Sequence, residues 1–315
     1  MKDVASAPIA ALLLILAAPA AAEEAPAQQT AQEPAATGPA LGTDLFFSTD
    51  GDHTDVLRIG ADFDLRYSGP EDYLGLRLEK AWFDPLGQGV RGRERAYLRA
   101  ADSFAGGAWK WSLRIGTDGH TVLGAAALHN EAALRQEYFI EREIVETPQG
   151  LERGIYYTFA GAAIDLPADE RNVFTVFGGV QPFTGDNVRF HLRANFVHVV
   201  KPEWGLSAQL RTRYFANTEP GEFDYYSPRW YAQLLPVVQV RRFDRGWRYL
   251  LAAGLGVQRD SQTGWRRSSY FNAQGTSPER RGWAVQAALL YSETPTTAGL
   301  SYDYLQVTVG LRRGF

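Results

Sequence analysis

From Leu45 to Phe315, apolar and polar residues alternate with a period of two in almost every segment. In 188–199, Phe190, Leu192, Ala194 and Phe196 share one side, and Arg189, His191, Arg193 and Asn195 the other. The next segment sets Trp204, Leu206, Ala208, Leu210 and Tyr214 against Ser207, Gln209, Arg211 and Arg213. Residues 109–115 oppose Trp109, Trp111, Leu113 and Ile115 to Lys110, Ser112 and Arg114, and 283–291 aligns Trp283, Val285, Ala287, Leu289 and Tyr291. Strand side chains point alternately to two faces, whereas a helix needs an apolar stripe every 3.6 residues, which is missing here. The pattern predicts strands over 43–49, 54–67, 72–83, 91–102, 107–116, 119–128, 134–146, 151–164, 171–182, 187–200, 204–216, 229–243, 246–259, 265–273, 281–293 and 301–315. Turn residues punctuate them, as in Ser68-Gly69-Pro70, Asp118-Gly119, Pro148-Gln149-Gly150, Thr184-Gly185-Asp186, Lys201-Pro202-Glu203 and Asp244-Arg245-Gly246.

No stretch after residue 22 is continuously apolar over the length of a spanning helix, so a chain of this kind crosses a membrane only as a closed barrel. A soluble sandwich seldom carries so many strands of this length in one domain. Aromatics near strand ends (Tyr67, Tyr73, Trp82, Phe83, Trp204, Tyr214, Trp247, Trp283, Tyr291) are expected to form interfacial girdles. The expected fold is all-β, a transmembrane antiparallel β-barrel over 43–315 with about sixteen strands, the even number such barrels require. Twelve to eighteen stay compatible, because 43–49 and 265–273 are weakly patterned and 119–128 also reads as a loop. The glycines of Gly178-Gly179 and Gly254-Leu255-Gly256 read as strand glycines, not a phosphate loop.

Ahead of the alternating region, Lys2, an apolar run from Ile9 to Ala18 and small residues to Ala22 give the pattern of a signal peptide, expected at 1–22. Residues 23–42, rich in Pro, Ala, Gln and Glu, are expected to be a flexible periplasmic leader.

Composition narrows the chemistry. The 315 residues contain no Cys, which excludes disulfides and thiolate-bound metals. Lys+Arg 32 against Asp+Glu 36 leaves no basic excess for nucleic acid. Neither a cofactor nor a metal site is expected. If the apolar faces meet lipid, the opposite faces line a lumen rich in Arg: Arg114, Arg189, Arg193, Arg211, Arg213, Arg248 and Arg312, with Glu137 and Glu141 elsewhere. Guanidinium forks suit carboxylate or hydroxyl-rich ligands, so this wall is expected to line a path for an anionic or sugar-like solute. Bracing of the barrel by Arg–carboxylate networks is the alternative. The longest irregular stretches, Ala216 to Pro228 and Asp260 to Glu279, are candidates to cap or narrow the pore.

Two motifs carry a resemblance. The last strand sets Leu305, Val307, Val309 and Leu311 at alternate positions and ends in Phe315, which resembles the assembly signal of bacterial outer-membrane barrels. Phe223-Asp224-Tyr225-Tyr226-Ser227-Pro228-Arg229-Trp230-Tyr231 resembles an element in the C-terminal barrels of cellulose-type exopolysaccharide exporters. The matching positions are Tyr225, Tyr226, Ser227, Pro228 and Tyr231, with the tyrosines expected at a membrane rim and Pro228 at the start of a strand. The poly-N-acetylglucosamine exporters are similar in plan. The resemblance implies a sixteen-strand outer-membrane barrel that passes a polysaccharide outward. It implies as partners outer-membrane lipids and lipopolysaccharide, the barrel-assembly machinery, a polysaccharide synthase and a periplasmic scaffold. That scaffold would be a separate protein, because the family's helical-repeat scaffold has no counterpart in this sequence. A general or solute-specific uptake porin, and a non-transporting structural, adhesion or receptor barrel, are the alternatives.

Enzyme chemistry is not expected. Barrel phospholipases resemble one another in placing a His and a Ser two apart, and none of His53, His120, His129, His191 and His198 is followed so by Ser. No HExxH is present. Asp50, Asp52, His53 and Asp55 cluster as a protease-like or cation-binding candidate, with an acidic turn as the plainer alternative.

Overall fold

The computed structural model describes residues 38–295 and 301–315. Sixteen antiparallel strands close into one barrel. They are β1 (Gly38–Asp50), β2 (Asp55–Gly69), β3 (Asp72–Asp84), β4 (Arg91–Phe104), β5 (Trp109–Thr117), β6 (Val122–Asn130), β7 (Gln136–Ile144), β8 (Tyr156–Pro167), β9 (Asn172–Pro182), β10 (Val188–Lys201), β11 (Leu206–Asn217), β12 (Trp230–Asp244), β13 (Trp247–Asp260), β14 (Arg266–Thr276), β15 (Trp283–Pro295) and β16 (Ser301–Gly314). Each strand pairs with its sequence neighbours, and β1 pairs with β16 from Ala40↔Gly314 to Asp50↔Tyr304. Closure leaves no open sheet edge, which hydrocarbon would not tolerate.

The count of sixteen and the alternation both hold. On β10, Phe190 and Leu192 are exposed while Arg189 and His191 are buried. Leu76, Leu78 and Leu98 likewise face outward, opposite Arg77, Glu79 and Arg95. The outside is thus an apolar belt and the inside a polar, charged lumen, the reverse of a soluble protein. Leu78→Arg, at the middle of β3, is expected to cost about 2–4 kcal/mol at mid-membrane depth. The check is a smaller folded fraction on a heat-modifiable gel shift.

Three expectations need correction. First, β1 begins at Gly38, so 38–42 belong to the barrel and not to the leader. The expected signal peptide and the leader up to residue 37 lie outside the described residues. Second, the strands expected at 134–146 and 151–164 are shorter, because 145–155 is a loop holding a six-residue helix, α1 (Pro148–Arg153). Thr147 caps it by accepting the Gly150 N–H, Pro148 follows the cap, and Gly154 ends it in the left-handed conformation at φ 68°. Third, part of the expected aromatic girdle faces inward. Trp204, Tyr214, Trp247 and Trp283 are outside, but Tyr67, Tyr73 and Phe83 are buried in the lumen. Tyr73 and Phe83 share the parity of Arg77, and a bulge between Asp64 and Arg66 turns Tyr67 inward.

The two barrel ends differ. At the end holding the described chain's two ends, connections are short turns such as Arg245-Gly246. At the other end, 145–155 and 218–229 form long loops.

Candidate functional site: the lumen and its mouth

One arc of the lumen is braced. Arg77 on β3 is bound by Asp44 on β1 (2.5 Å), Asp62 on β2 (3.1 Å) and Glu79 on its own strand (2.9 Å). Arg99 and Arg312 both bind the Asp62 and Asp64 pair. Arg95 bridges Glu79 (3.1 Å) and Glu143 (2.9 Å), which lies three strands away on β7. Gly60 makes room for this network, because a Cβ there would collide with the Arg77 guanidinium. Buried charges persist only when paired and hydrogen-bonded, and these are.

The opposite arc has a different chemistry. β9 to β14 turn Gln209, Gln239, Gln258 and Asn272 inward, all buried amides. Guanidinium groups lie over aromatic rings: Arg193 over Phe177 (5.2 Å), Arg211 over Tyr270 (4.9 Å) and Arg213 over Phe215 (5.6 Å). Arg211 Nε also donates to Gln209 Oε1 (2.9 Å). Such stacking fixes the guanidinium plane.

At the loop end, both long loops fold inward. Leu151 of α1 packs with Phe46, Val56, Phe83, Tyr97, Leu123 and Tyr156 on the lumenal wall. Tyr225 of 218–229 stacks on Phe183 at 4.4 Å. Burial pushes the Tyr225 phenol up to about 12, so it stays a neutral hydrogen-bonding group. Tyr226 packs with Phe215 and Tyr231. Arg189 is fully buried between Phe183 and Phe215 and donates to the Tyr226 carbonyl (2.5 Å) and to Asn217 Oδ1 (2.9 Å).

The contacts link into a strap. Arg58 on β2 binds Glu146 (2.5 Å). Thr147 Oγ1 and the Gln149 N–H donate to the two Asp224 oxygens (2.6 and 2.8 Å). Tyr226 donates to Asp260 at the end of β13 (2.6 Å). Because β2 and β13 are not neighbours, this chain of bonds crosses the mouth. Glu222 adds a further tie by accepting the Asp186 and Asn187 N–H groups (2.7 and 3.0 Å). Asp224→Ala removes the joint between the loops. It is expected to raise mean single-channel conductance severalfold without lowering the folded fraction, because the strand ladder is untouched. Bilayer recording checks this.

The sequence-predicted residues therefore divide. Arg114, Arg193, Arg211 and Arg213 are partly exposed within the lumen. Arg189 and Arg312 point inward but brace the protein, the first at the mouth and the second in the carboxylate network. Arg248 has lumenal parity and sits exposed at the turn-end rim of β13. Glu137 lies 3.7 Å from Arg135, and Glu141 accepts from the Tyr157 hydroxyl at 3.5 Å. Tyr225, Tyr226, Ser227 and Tyr231 come together, but buried inside the mouth and not at a membrane rim. Pro228 stands two residues before β12 and lends its carbonyl to Asn217 Nδ2 (2.6 Å). Leu311 faces lipid, and Phe315 follows β16 with its N–H on the Pro39 carbonyl. Of the two irregular stretches, 216–228 does cap the mouth, whereas most of 260–279 is β14. Asp50 is a turn cap, its Oδ1 accepting the Asp52 and Thr54 N–H groups.

Two features were not foreseen. The lumenal carboxylates Asp44, Asp62, Asp64, Glu79 and Glu143 stand at alternate positions opposite apolar residues, so strand parity was signal enough. At the turn end, Glu71, His129 and Glu131 bring ligand atoms within 4.8 Å of one another. The Lys110 ammonium lies 2.8 Å from Glu71 and supplies positive charge there.

Neither a protein-family model nor a curated protein matches the chain. Among solved structures, a bacterial polysaccharide outer membrane secretin superposes with a TM-score of 0.62 at 15% identity, over 87% of this chain and 98% of that one. Pseudomonas aeruginosa OprD superposes more loosely, with a TM-score of 0.43 at 8% identity over 88% and 95%. With its apolar belt, closed sheet and charged lumen, the chain is a sixteen-strand β-barrel of the bacterial outer membrane.

Proposed function

We propose that this barrel is the outer-membrane channel through which a polysaccharide leaves the cell. The observation that carries the reading is the lumenal wall of β11 to β14. There Gln209, Gln239, Gln258 and Asn272 offer paired donors and acceptors, and Asn272 Nδ2 donates to the hydroxyl of Tyr270 (3.2 Å). A glycan chain presents hydroxyls and apolar ring faces in alternation, and this wall answers both. Sixteen strands enclose enough width for an aqueous path. Long loops of outer-membrane barrels face outward, so the strap would close the channel from outside until cargo arrives. The superposition with a polysaccharide secretin and the Tyr225-Tyr226-Ser227-Pro228 element support the same reading. On this reading the barrel performs no catalysis. Its partners are the lipids around it, the machinery that assembles it, a polysaccharide synthase and a periplasmic scaffold.

The test compares cells with and without the barrel. Loss of the barrel is expected to abolish cell-surface polysaccharide and leave glycan in the periplasm, with full recovery on complementation. Unchanged surface polysaccharide together with slower uptake of a small solute would overturn the reading in favour of an uptake porin.

A further inference from the structure

We propose that the turn end of the lumen carries a binding site for a divalent transition-metal ion of the zinc class, held by Glu71, His129 and Glu131. This stands apart from the export reading and from the glycan wall. Glu71 lies in the turn between β2 and β3, and Glu131 follows β6 at the start of its turn to β7. His129 is the penultimate residue of β6 and shares the lumenal parity of Leu123 and Ala127. One ligand atom from each of the three lies within 4.8 Å of the others. His129 Nε2 stands 3.6 Å from Glu131 Oε1 and 3.9 Å from Glu71 Oε1. Those gaps are too long for hydrogen bonds. They come near the roughly 3.4 Å that separates ligands each sitting about 2.1 Å from a tetrahedral zinc. The two glutamate side chains are half exposed and free to close the remaining distance.

The imidazole is the observation that points to an ion. Its side chain is 10% exposed, and it makes no hydrogen bond among the described residues. A buried polar nitrogen left in that state costs stability. A cation between the three groups would give that nitrogen a bond and neutralise both carboxylates. One imidazole with two carboxylates suits zinc and its first-row neighbours, whereas magnesium and calcium take oxygen ligands. Lys110, directly across from His129 on β5, holds the place of that charge, 2.8 Å from Glu71 and 3.8 Å from Glu131. Its ammonium serves the glutamates and not the imidazole, and its partly exposed side chain can swing out when an ion arrives. Glu137, across from His129 on β7, is turned to Arg135 (3.7 Å) and stays outside the site. The bound ion would clip the β2–β3 turn to the β6–β7 turn. The sheet is thinly paired there, since β6 and β7 face each other only from Gly124↔Arg142 to His129↔Glu137.

Calorimetric titration of zinc chloride into the EDTA-treated barrel in detergent tests the proposal. One zinc per barrel is expected, and equal concentrations of magnesium or calcium should neither bind nor compete. His129→Ala and Glu131→Gln are each expected to weaken zinc binding about a hundredfold. Lys110→Met is expected to tighten it about fivefold, because a unit charge about 4 Å away is removed. A cluster that is only a set of ion pairs would gain no zinc affinity from that change. Zinc should also raise the denaturant midpoint of the wild type and of Lys110→Met, and leave that of His129→Ala unmoved. Heat-modifiable gel mobility reports that each variant is folded, and Glu131→Gln, altered at an exposed turn, carries the test if His129→Ala does not fold. Absence of stoichiometric zinc, zinc binding that survives both His129→Ala and Glu131→Gln, or equal binding of magnesium would overturn the site. None of these outcomes bears on the export reading.

Discussion

Arg77→Met is expected to lower the stability of the folded barrel by about 3–5 kcal/mol, the usual cost of removing one partner from a buried charge cluster. Three carboxylates, Asp44, Asp62 and Glu79, converge on this guanidinium, and all of it lies on the lumenal face. Arg99 and Arg312 still reach Asp62, and Arg95 still reaches Glu79. Asp44 has no such substitute among the ion pairs described, so the loss falls hardest on β1, the strand that closes the barrel. The measurement is the denaturant midpoint of the purified barrel in detergent, followed by heat-modifiable gel mobility. Gly60→Ala is expected to move the same midpoint in the same direction, since the added methyl collides with Arg77. A midpoint unchanged by Arg77→Met would mean that the network is not what joins β1 to β3.

The second large effect is local. Arg189→Met is expected to free the loop at 218–229 while leaving the strands intact. The side chain donates charge-assisted hydrogen bonds to Asn217 Oδ1 and the Tyr226 carbonyl, each typically worth about 1.5–3 kcal/mol, and its guanidinium is held between two rings. Its removal takes one donor from the Tyr226 carbonyl and one from Asn217 Oδ1, which keeps the Asn187 Nδ2 at 3.2 Å. Loops open locally at far lower cost than ladders of paired strands. Added protease should then cut between Thr218 and Arg229 in intact cells, where the wild-type loop resists, and the global denaturant midpoint should shift little. Equal protease resistance in both proteins would show that Phe183 and Tyr225 hold the loop without Arg189.

Much of this architecture is legible in the sequence because one physical rule dominates it. With lipid outside and water inside, every strand has to alternate, so parity alone separates Phe190 from Arg189 and Leu210 from Arg211. Parity also marked Arg114, Arg193 and Arg213 as lumenal. It failed where another rule intervened. The bulge after Asp64 reverses the face of Tyr67 without any sequence break. In 145–155, Val145, Leu151 and Ile155 keep an apolar rhythm that passes for strand, while the cap at Thr147-Pro148 and the stop at Gly154 are the residues that signal a helix. Tyr225 and Tyr226 read as rim aromatics because burial of a loop inside a mouth depends on what it meets. Here it meets Phe183, Asn187 and Asp260, residues far away in the chain. The cross-mouth strap is likewise tertiary throughout, since Arg58 and Glu146, or Thr147 and Asp224, are joined only by closure of the barrel.

The proposal that the lumen conducts, is held shut by that strap and passes a glycan is most directly tested by the current through single refolded barrels, recorded with neutral and acidic oligosaccharides of increasing length on either side. The expected result is a low and intermittent conductance in the wild type. Asp224→Ala should convert it to a steady one, and longer sugars should block it for longer. A barrel whose current is the same with and without Asp224, and indifferent to every sugar, would contradict the account.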